Sequence, residues 1–331
     1  MMATALGIDI GGTDLRVALI GDGGKVLSHA RTATAASAGP DAVITQIVAL
    51  AETLVHPLGS PNPDGIGIGS PGPLDADRGL VQSPPTLAGW HDVPLAEAIA
   101  DRLKLPTALD NDGHVAALGE WRYGAARGAT TFAYVTISTG IGGGIVVDGR
   151  MLRGEGGRAG HVGHMVTTDA PVRCVCGNLG CWEALASGTA LARAARQAVT
   201  QAPHSLLARL ATDRPADGRL VGEAARAGDA VALALLEAEA RHIAAGLTSL
   251  IHLLSPQRIV IGGGLSALLD LMQPTIEAEV ARRTMAVFHG VDIVAAELGL
   301  ATGVIGAAAL ILAPDRVTRF APRSHEEKVS P

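Results

Sequence analysis

The chain has 331 residues, room for two domains of ordinary size, and its 48% hydrophobic against 18% charged residues supply a sizeable core. A net charge of -6 without any Lys or Arg block gives no electrostatic footprint for nucleic acid, and no run of about 18 uninterrupted apolar residues offers a helical membrane span. Aromatic residues make up 2% while glycines number 42, so function is expected where backbone approaches a ligand closely, not on aromatic platforms. The first ten residues run straight into an apolar strand pattern with no basic leader or cleavage signature, which sets the expectation of a cytoplasmic protein.

Three strands open the chain, at 6–10, 15–20 and 25–32, joined by glycine turns at 11–12 and 21–24 into an antiparallel meander. A helical period at Val43, Ile44, Ile47, Val48, Ala51 and Leu54 predicts a helix over 40–55, followed by a buried strand at 65–69. A helix at 95–103, a short strand at 107–109 and a helix at 111–121 complete the first half. The second half repeats the theme. Strands at 132–137 and 145–147 flank a glycine loop at 140–144, and helices are expected at 189–199, around Ala224 and at 230–254. A strand at 258–261 then ends in three glycines, followed by a helix to about 285, a strand near 291–295 and a helix at 303–312. Strand-rich openings with crossover helices, used twice, predict an α/β fold of two similar lobes with a cleft between them. The charged, proline-containing tail at 314–331 is expected to fray.

Asp9-Ile10-Gly11-Gly12-Thr13 sets a carboxylate at a strand end, then two glycines whose N–H groups can cradle an anion, then a hydroxyl. Such a turn accepts phosphate oxygens while the carboxylate holds Mg²⁺ through water. Ser138-Thr139-Gly140 and the glycines after it repeat the arrangement, so one turn per lobe would clamp a nucleotide. Gly262-Gly263-Gly264 adds a close approach for a base and its ribose. None of these is a Walker loop or a dinucleotide fingerprint.

Asn111-Asp112 stands where a strand meets a helix. Either residue serves structurally there as an N-cap, and a carboxylate at that point also suits a general base that accepts a hydroxyl proton during attack on a γ-phosphoryl group. The rigid segment from Gly69 through Gly72 to Asp75 suits a pocket wall. His56, His91, His114 and His252 show no ligand spacing and are read as structural or surface residues.

All 3 cysteines fall inside one short window, Cys174, Cys176 and Cys181, with His164 upstream and turn-forming glycines between them. Three thiolates and one imidazole complete a tetrahedral shell with no open position, a structural zinc site. A disulfide would strand the third thiol, and nothing in the chain points to an oxidising compartment.

In this order, Asp9 to Thr13, Gly67 to Pro73, Asn111-Asp112, Thr139 to Gly144, Gly163-His164, the cysteine cluster and Gly262 to Gly264 resemble the ROK family of sugar kinases and sugar-responsive repressors. That family lies within the superfamily of actin, hexokinase and heat-shock ATPases, and the match covers nearly the whole chain. The resemblance implies two actin-like (ribonuclease H-like) lobes. One would span 1–112 plus a terminal helix at about 303–313, the other 113–302 with a zinc segment at 161–183. It implies ATP and Mg²⁺ at Asp9, Gly11, Gly12, Thr13, Thr139, Gly140, Gly263 and Gly264. Asp112 would be the general base, with the sugar held by Gly72, Asn111, Asp112, His161, His164 and Glu183. It further implies that His164 binds zinc while helping to orient the sugar, and that the protein is a homodimer.

Two positions depart from the family pattern. Asp14 stands where a lysine is common, and His161 stands where the kinases carry a glutamate that touches the sugar near C1 and C2. An imidazole donates as well as accepts, so the sugar range is expected to change. The leading expectation is a hexose kinase acting on glucose O6, with an N-acetylhexosamine such as N-acetylglucosamine or N-acetylmannosamine, or another hexose, as the alternative. A non-catalytic sugar sensor is the reading from another class. The family's repressors carry an N-terminal helix-turn-helix domain, and here Asp9 is expected to come too early for one.

Overall fold

A computed structural model of the chain describes residues 3–55, 62–315 and 317–323; His56 lies outside them. In chain order the elements are β1 (Ala5–Ile10), β2 (Asp14–Ile20), β3 (Val26–Ala33), α1 (Pro40–Val55), β4 (Ile66–Ser70), β5 (Leu74–Asp75), β6 (Leu80–Val81), α2 (Leu95–Leu103), β7 (Thr107–Asn111) and α3 (Asp112–Tyr123). There follow β8 (Phe132–Ile137), β9 (Ile141–Val147), β10 (Arg150–Met151), α4 (Trp182–Ala186), α5 (Gly188–Gln201), α6 (Leu206–Leu210) and α7 (Gly218–Arg226). The chain continues through α8 (Ala230–Leu254), β11 (Arg258–Gly262), α9 (Leu269–Arg283), β12 (Asp292–Ala295) and α10 (Thr302–Leu312).

One sheet runs β3-β2-β1-β4-β7, with the first three strands an antiparallel meander and β4 and β7 added in parallel. The other runs β10-β9-β8-β11-β12, with β11 parallel to both β8 and β12. The order is the same in both, a meander followed by two parallel additions. The α/β class and the twice-used plan expected from the sequence are therefore present. The short β5–β6 ribbon, which begins at the end of the stretch read as a rigid loop, was not expected. No helix among the described residues is long and apolar enough to cross a membrane.

The chain forms two compact units, Met1–Gly128 with Gly144–Gly160 and Glu297–Pro331, and Ala129–Gly143 with His161–Ala296. The expected lobes had instead been divided at 112 and 302. The structure keeps α3 and residues 144–160 in the first unit because α3 packs against α10.

In the first unit Leu6, Ile8 and Ile10 of β1 are buried in a core with Val43, Ile47 and Ile99 from α1 and α2. The alternate positions take glycine for a steric reason. A Cβ on Gly7 would come within 1.9 Å of the Val304 carbonyl oxygen, and one on Gly67 within 1.7 Å of that of Ala307. Their absence lets α10 lie directly on the sheet. The tail is not frayed throughout: Thr107 and Phe320 exchange backbone hydrogen bonds of 2.9 and 2.8 Å, so residues 317–323 extend the edge beyond β7.

In the second unit α8 buries Leu236, Ala240, Ile243, Ala244, Leu247 and Ile251, a helical stripe. Asp229 caps it, accepting the Ala232 N–H at 2.8 Å. Buried Trp182 of α4 donates its indole N–H to the His242 carbonyl of α8 at 2.9 Å, which seats the helix that carries Glu183.

Glu120 joins the C-terminal end of α3 to the segment that leads into α10. Its fully buried carboxyl accepts from the N–H groups of Ala125, Glu297 and Leu298 and faces the Thr302 hydroxyl at 3.3 Å. Glu120→Ala strands these donors, and a loss of about 2–4 kcal/mol of stability is expected. A lowered thermal unfolding midpoint checks it; an unchanged midpoint contradicts the role.

Candidate active site

Three parallel strands of the first unit bring their carboxyl ends side by side. Asp9 pairs with Gly69, and Ser70 with Asn111, so β1, β4 and β7 deliver Asp9, the segment with Gly72, and Asn111-Asp112 to one edge. Ligands of open α/β sheets bind outside such edges. After β1 the Gly11 N–H donates to the Asp14 carbonyl at 2.8 Å, closing the turn that carries Gly12 and Thr13.

Burial raises the Asp9 carboxyl, opposed by the Arg16 guanidinium 3.2 Å away. Asp14 does not stand as a bare negative charge in place of the family lysine. Arg16 reaches it at 3.5 Å and Arg31 at 2.7 Å. Sequence reading missed both arginines, although the β2–β3 register sets Arg16 opposite Arg31.

Where β7 passes into α3, the N-cap reading of Asn111-Asp112 holds. Asn111 is the N-cap, its side-chain oxygen accepting the Gly113 N–H at 2.9 Å, and Asp112 accepts the same N–H at 2.8 Å. Asp112 is exposed to solvent on one side, yet the protein crowded around it pushes its carboxyl up to about 6. The hydrogen bond from Gly113 opposes that rise, the charge of Asp9 adds to it, and His114 draws it down.

His114 is neither a surface residue nor a passive one. Its ring is buried, with Nδ1 2.8 Å from Asp110 Oδ1 and Nε2 2.9 Å from the Ala159 carbonyl oxygen. Arg153 Nε donates to the other Asp110 oxygen at 2.8 Å. The loop that follows Arg153 lies against the segment after Gly72, since a Cβ on Gly157 would sit 3.5 Å from that of Ala76. The i, i+4 spacing of Asp110 and His114 was readable; the partnership with Arg153 was not.

In the second unit the turn after β8 is shorter than expected. The glycines at 142–144 belong to β9, which begins at Ile141, and only Ser138-Thr139-Gly140 forms the turn. The Ser138 N–H donates to Gly140 O at 2.9 Å, and Thr139 O accepts from the Thr189 hydroxyl at 2.7 Å. Glu183 fits against this turn: its Oε2 accepts the Ile141 N–H at 2.9 Å, and a Cβ on Gly140 would stand 2.4 Å from that oxygen. Gly263, at φ 83°, stacks over Ile137, and a Cβ on Gly264 would be 3.9 Å from Ser138 Oγ. Two of the predicted glycine turns thus meet within this unit.

His164, Cys174, Cys176 and Cys181 also gather there, their ligand atoms all within 4.8 Å of one another. Cys174 Sγ is 3.7 Å from His164 Nδ1, and Cys176 Sγ is 3.6 Å from Cys181 Sγ. A tetrahedral zinc shell has edges of about 3.8 Å between sulfurs and about 3.6 Å between sulfur and nitrogen, so the donors fit. Burial pushes the Cys181 thiol up to about 12, so it would ionise only with a cation beside it, as a metal ligand does. Glu183 Oε1 lies 3.8 Å from Cys174 Sγ, between the cluster and the 138–140 turn. His161 stacks on His164 with ring centroids 6.3 Å apart. A cavity of about 470 Å³ beside α9 and β12, lined by Gln273, Glu277, Phe288 and Asp292 among others, contains none of the predicted residues.

The model of the ROK family matches residues 5–313 of the chain. The glucokinase of Thermotoga maritima is 35% identical over 92% of this chain and 96% of its own length. The N-acetylmannosamine kinase of Escherichia coli is 34% identical over 93% and 98%. The crystal structure of a ROK family glucokinase from Streptomyces griseus, in complex with glucose and AMPPNP, superposes with a TM-score of 0.81 at 32% identity, covering 93% of this chain and 99% of that one.

Proposed function

The chain belongs to the ROK family and is an ATP-dependent hexose kinase; from that premise we propose that glucose O6 is the acceptor and Asp112 the base that takes its proton. The observation that carries the second part is the place of Asp112, at the start of α3 beyond the carboxyl ends of β1, β4 and β7, open to solvent and titrating at about 6. A carboxylate of that basicity is ionised at neutral pH and still accepts a proton readily. As the sugar oxygen attacks the γ-phosphorus of ATP, its proton passes to Asp112 and the bond to the β,γ-bridging oxygen breaks, leaving ADP.

Gly72, Asn111, His161, His164 and Glu183 are proposed for the sugar. Gly11, Gly12, Thr13, Thr139, Gly140, Gly263 and Gly264 are proposed for ATP, the backbone N–H groups of the turns facing phosphate. Asp9, a half-buried carboxylate beside the Arg16 guanidinium, fits a Mg²⁺ that would neutralise phosphate charge. His164, Cys174, Cys176 and Cys181 would hold a structural zinc that fixes the segment ending in Glu183. A cytoplasmic homodimer is the setting proposed.

The 34% identity to an N-acetylmannosamine kinase keeps a second reading, an N-acetylhexosamine as acceptor. His161 bears on the choice, because an imidazole offers groups at the sugar that a carboxylate does not.

Asp112→Asn is expected to lower kcat by about a thousandfold while sugar binding persists; near-normal turnover contradicts the base. Because the Asp112 pKa is raised to about 6 and the ionised form is the active one, wild-type kcat/KM falls as pH drops through that value and levels off above it. An acid limb far lower would count against the assignment. Metal analysis should give about one zinc per chain, lost in Cys181→Ser together with thermal stability; a fully folded, metal-free wild type contradicts the site. An ADP-release assay across hexoses and N-acetylhexosamines should return different profiles for wild type and His161→Glu, and identical profiles would remove His161 from sugar choice.

A further inference from the structure

The first unit holds a buried ionic group that the proposed chemistry does not use. Asp110, 1% exposed, is the penultimate residue of β7, one before the N-cap, and its carboxylate is ringed by donors. Oδ1 accepts the Asn111 N–H at 2.8 Å and meets His114 Nδ1 at 2.8 Å, while Oδ2 accepts Arg153 Nε at 2.8 Å. Burial alone would raise this carboxyl, but hydrogen bonds and charge from His114 and Arg153 hold it below the ordinary range. Both oxygens act as acceptors, so the proton of the His114–Asp110 contact belongs to the ring.

The other ring nitrogen faces a second acceptor, the Ala159 carbonyl at 2.9 Å. A carbonyl cannot donate, and a neutral imidazole carries one N–H. It would therefore present a lone pair to one of these two oxygens, whereas the doubly protonated ring donates to both. The ring is 1% exposed, so bulk solvent does not reach it to take the place of a lost partner.

What the ring holds is the neck of a loop. The Ala159 N–H donates to the Arg153 carbonyl at 2.8 Å, closing residues 154–158 into a glycine-rich loop whose Gly154, Gly156 and Gly157 all have positive φ. One side of the neck is tied to Asp110 through Arg153, which also reaches Asp315 at 3.3 Å, and the other side to His114 through Ala159. Two residues beyond Ala159 the chain reaches His161.

We propose that His114 is a positioning residue of the kinase: its doubly donating ring, held between the Asp110 carboxylate and the Ala159 carbonyl, fixes the 153–159 neck ahead of His161 and places a cation two residues along α3 from Asp112. This rests on the kinase reading above. The ring does two jobs, one steric and one electrostatic. Without the bond to Ala159 the neck keeps only its Arg153 side, and the start of the sugar-binding segment loses its register. The groups facing Asp112 are Asp9 of β1, which raises its pKa, and His114 of α3, which lowers it. Those facing His114 are Asp110 of β7 and, behind it, Arg153 and Asp315. Removing the cation takes away one of the contributions that hold Asp112 down, so the acid limb of the pH profile moves to higher pH.

The first test needs no variant. In histidine-¹⁵N-labelled wild-type protein at about pH 7.5, both His114 ring nitrogens should resonate as protonated imidazolium nitrogens; a neutral tautomer with one unprotonated nitrogen overturns the proposal. The second uses His114→Asn. The KM for sugar should rise about tenfold, the KM for ATP should stay within about twofold, and the acid limb should move upward. A folded variant with wild-type sugar KM and an unmoved acid limb overturns it equally. If that chain does not fold, the nitrogen resonances alone decide. Failure of the kinase reading would show separately, as wild-type protein that releases no ADP with any sugar.

Discussion

A carboxylate shut away from water must be met by donors, and Asp110 imposes that demand at the end of β7. Three groups satisfy it: the next backbone N–H, an imidazole one helical turn ahead and a guanidinium from the segment after β10. Meeting the demand fixes more than one carboxylate. It sets the first turn of α3, and with it the orientation of Asn111 and Asp112, and it closes the loop that leads to His161. The sheet supplies the location by ending three parallel strands together, and its glycines Gly7 and Gly67 let α10 lie directly on it. Burial of Asp110 turns that location into a defined geometry.

The second unit solves a related problem with a different chemistry. Its sugar-end candidate, Glu183, sits on a short helix that could not hold a side chain in place by itself. Trp182 anchors the helix to α8, and the cluster of three thiols and His164 anchors the segment before it. Zinc would act there as Arg153 and His114 act in the first unit, as the positive charge that makes a group of adjacent anionic donors tolerable. The same logic explains why Asp14 replaces a family lysine without leaving a bare negative charge beside Asp9. Arg16 and Arg31 flank it, and together they balance the charges of Asp9 and Asp14.

Much of this was legible in the chain. The meander over β1 to β3 followed from its glycine turns, the two-lobed plan from its repetition, and the gathering of His164 with the three cysteines from the crowding of every cysteine into one window. The failures have physical reasons. Glycines 142–144 read as a loop because glycine weakens strands, but a Cβ on Gly144 would meet the Gly113 carbonyl oxygen at 2.7 Å, so glycine is what lets β9 pass against the start of α3. Phe320 read as part of a loose tail because nothing local announces that it pairs with Thr107, more than two hundred residues earlier. His114 was set aside for lack of ligand spacing, a criterion suited to metals and blind to a histidine whose partners are a carboxylate one turn away and a distant carbonyl. Local pattern predicts elements well and long-range polar partnerships poorly, since the latter depend on which segments the fold brings together.

The central claim is that this chain moves the terminal phosphoryl group of ATP to a hexose hydroxyl. Phosphorus NMR of the reaction with glucose follows the group directly. The account predicts glucose 6-phosphate and ADP accumulating in equal amounts, with no ATP consumed when sugar is withheld. Inorganic phosphate released from ATP regardless of sugar, or no transfer to glucose, to an N-acetylhexosamine or to any other hexose, would contradict it.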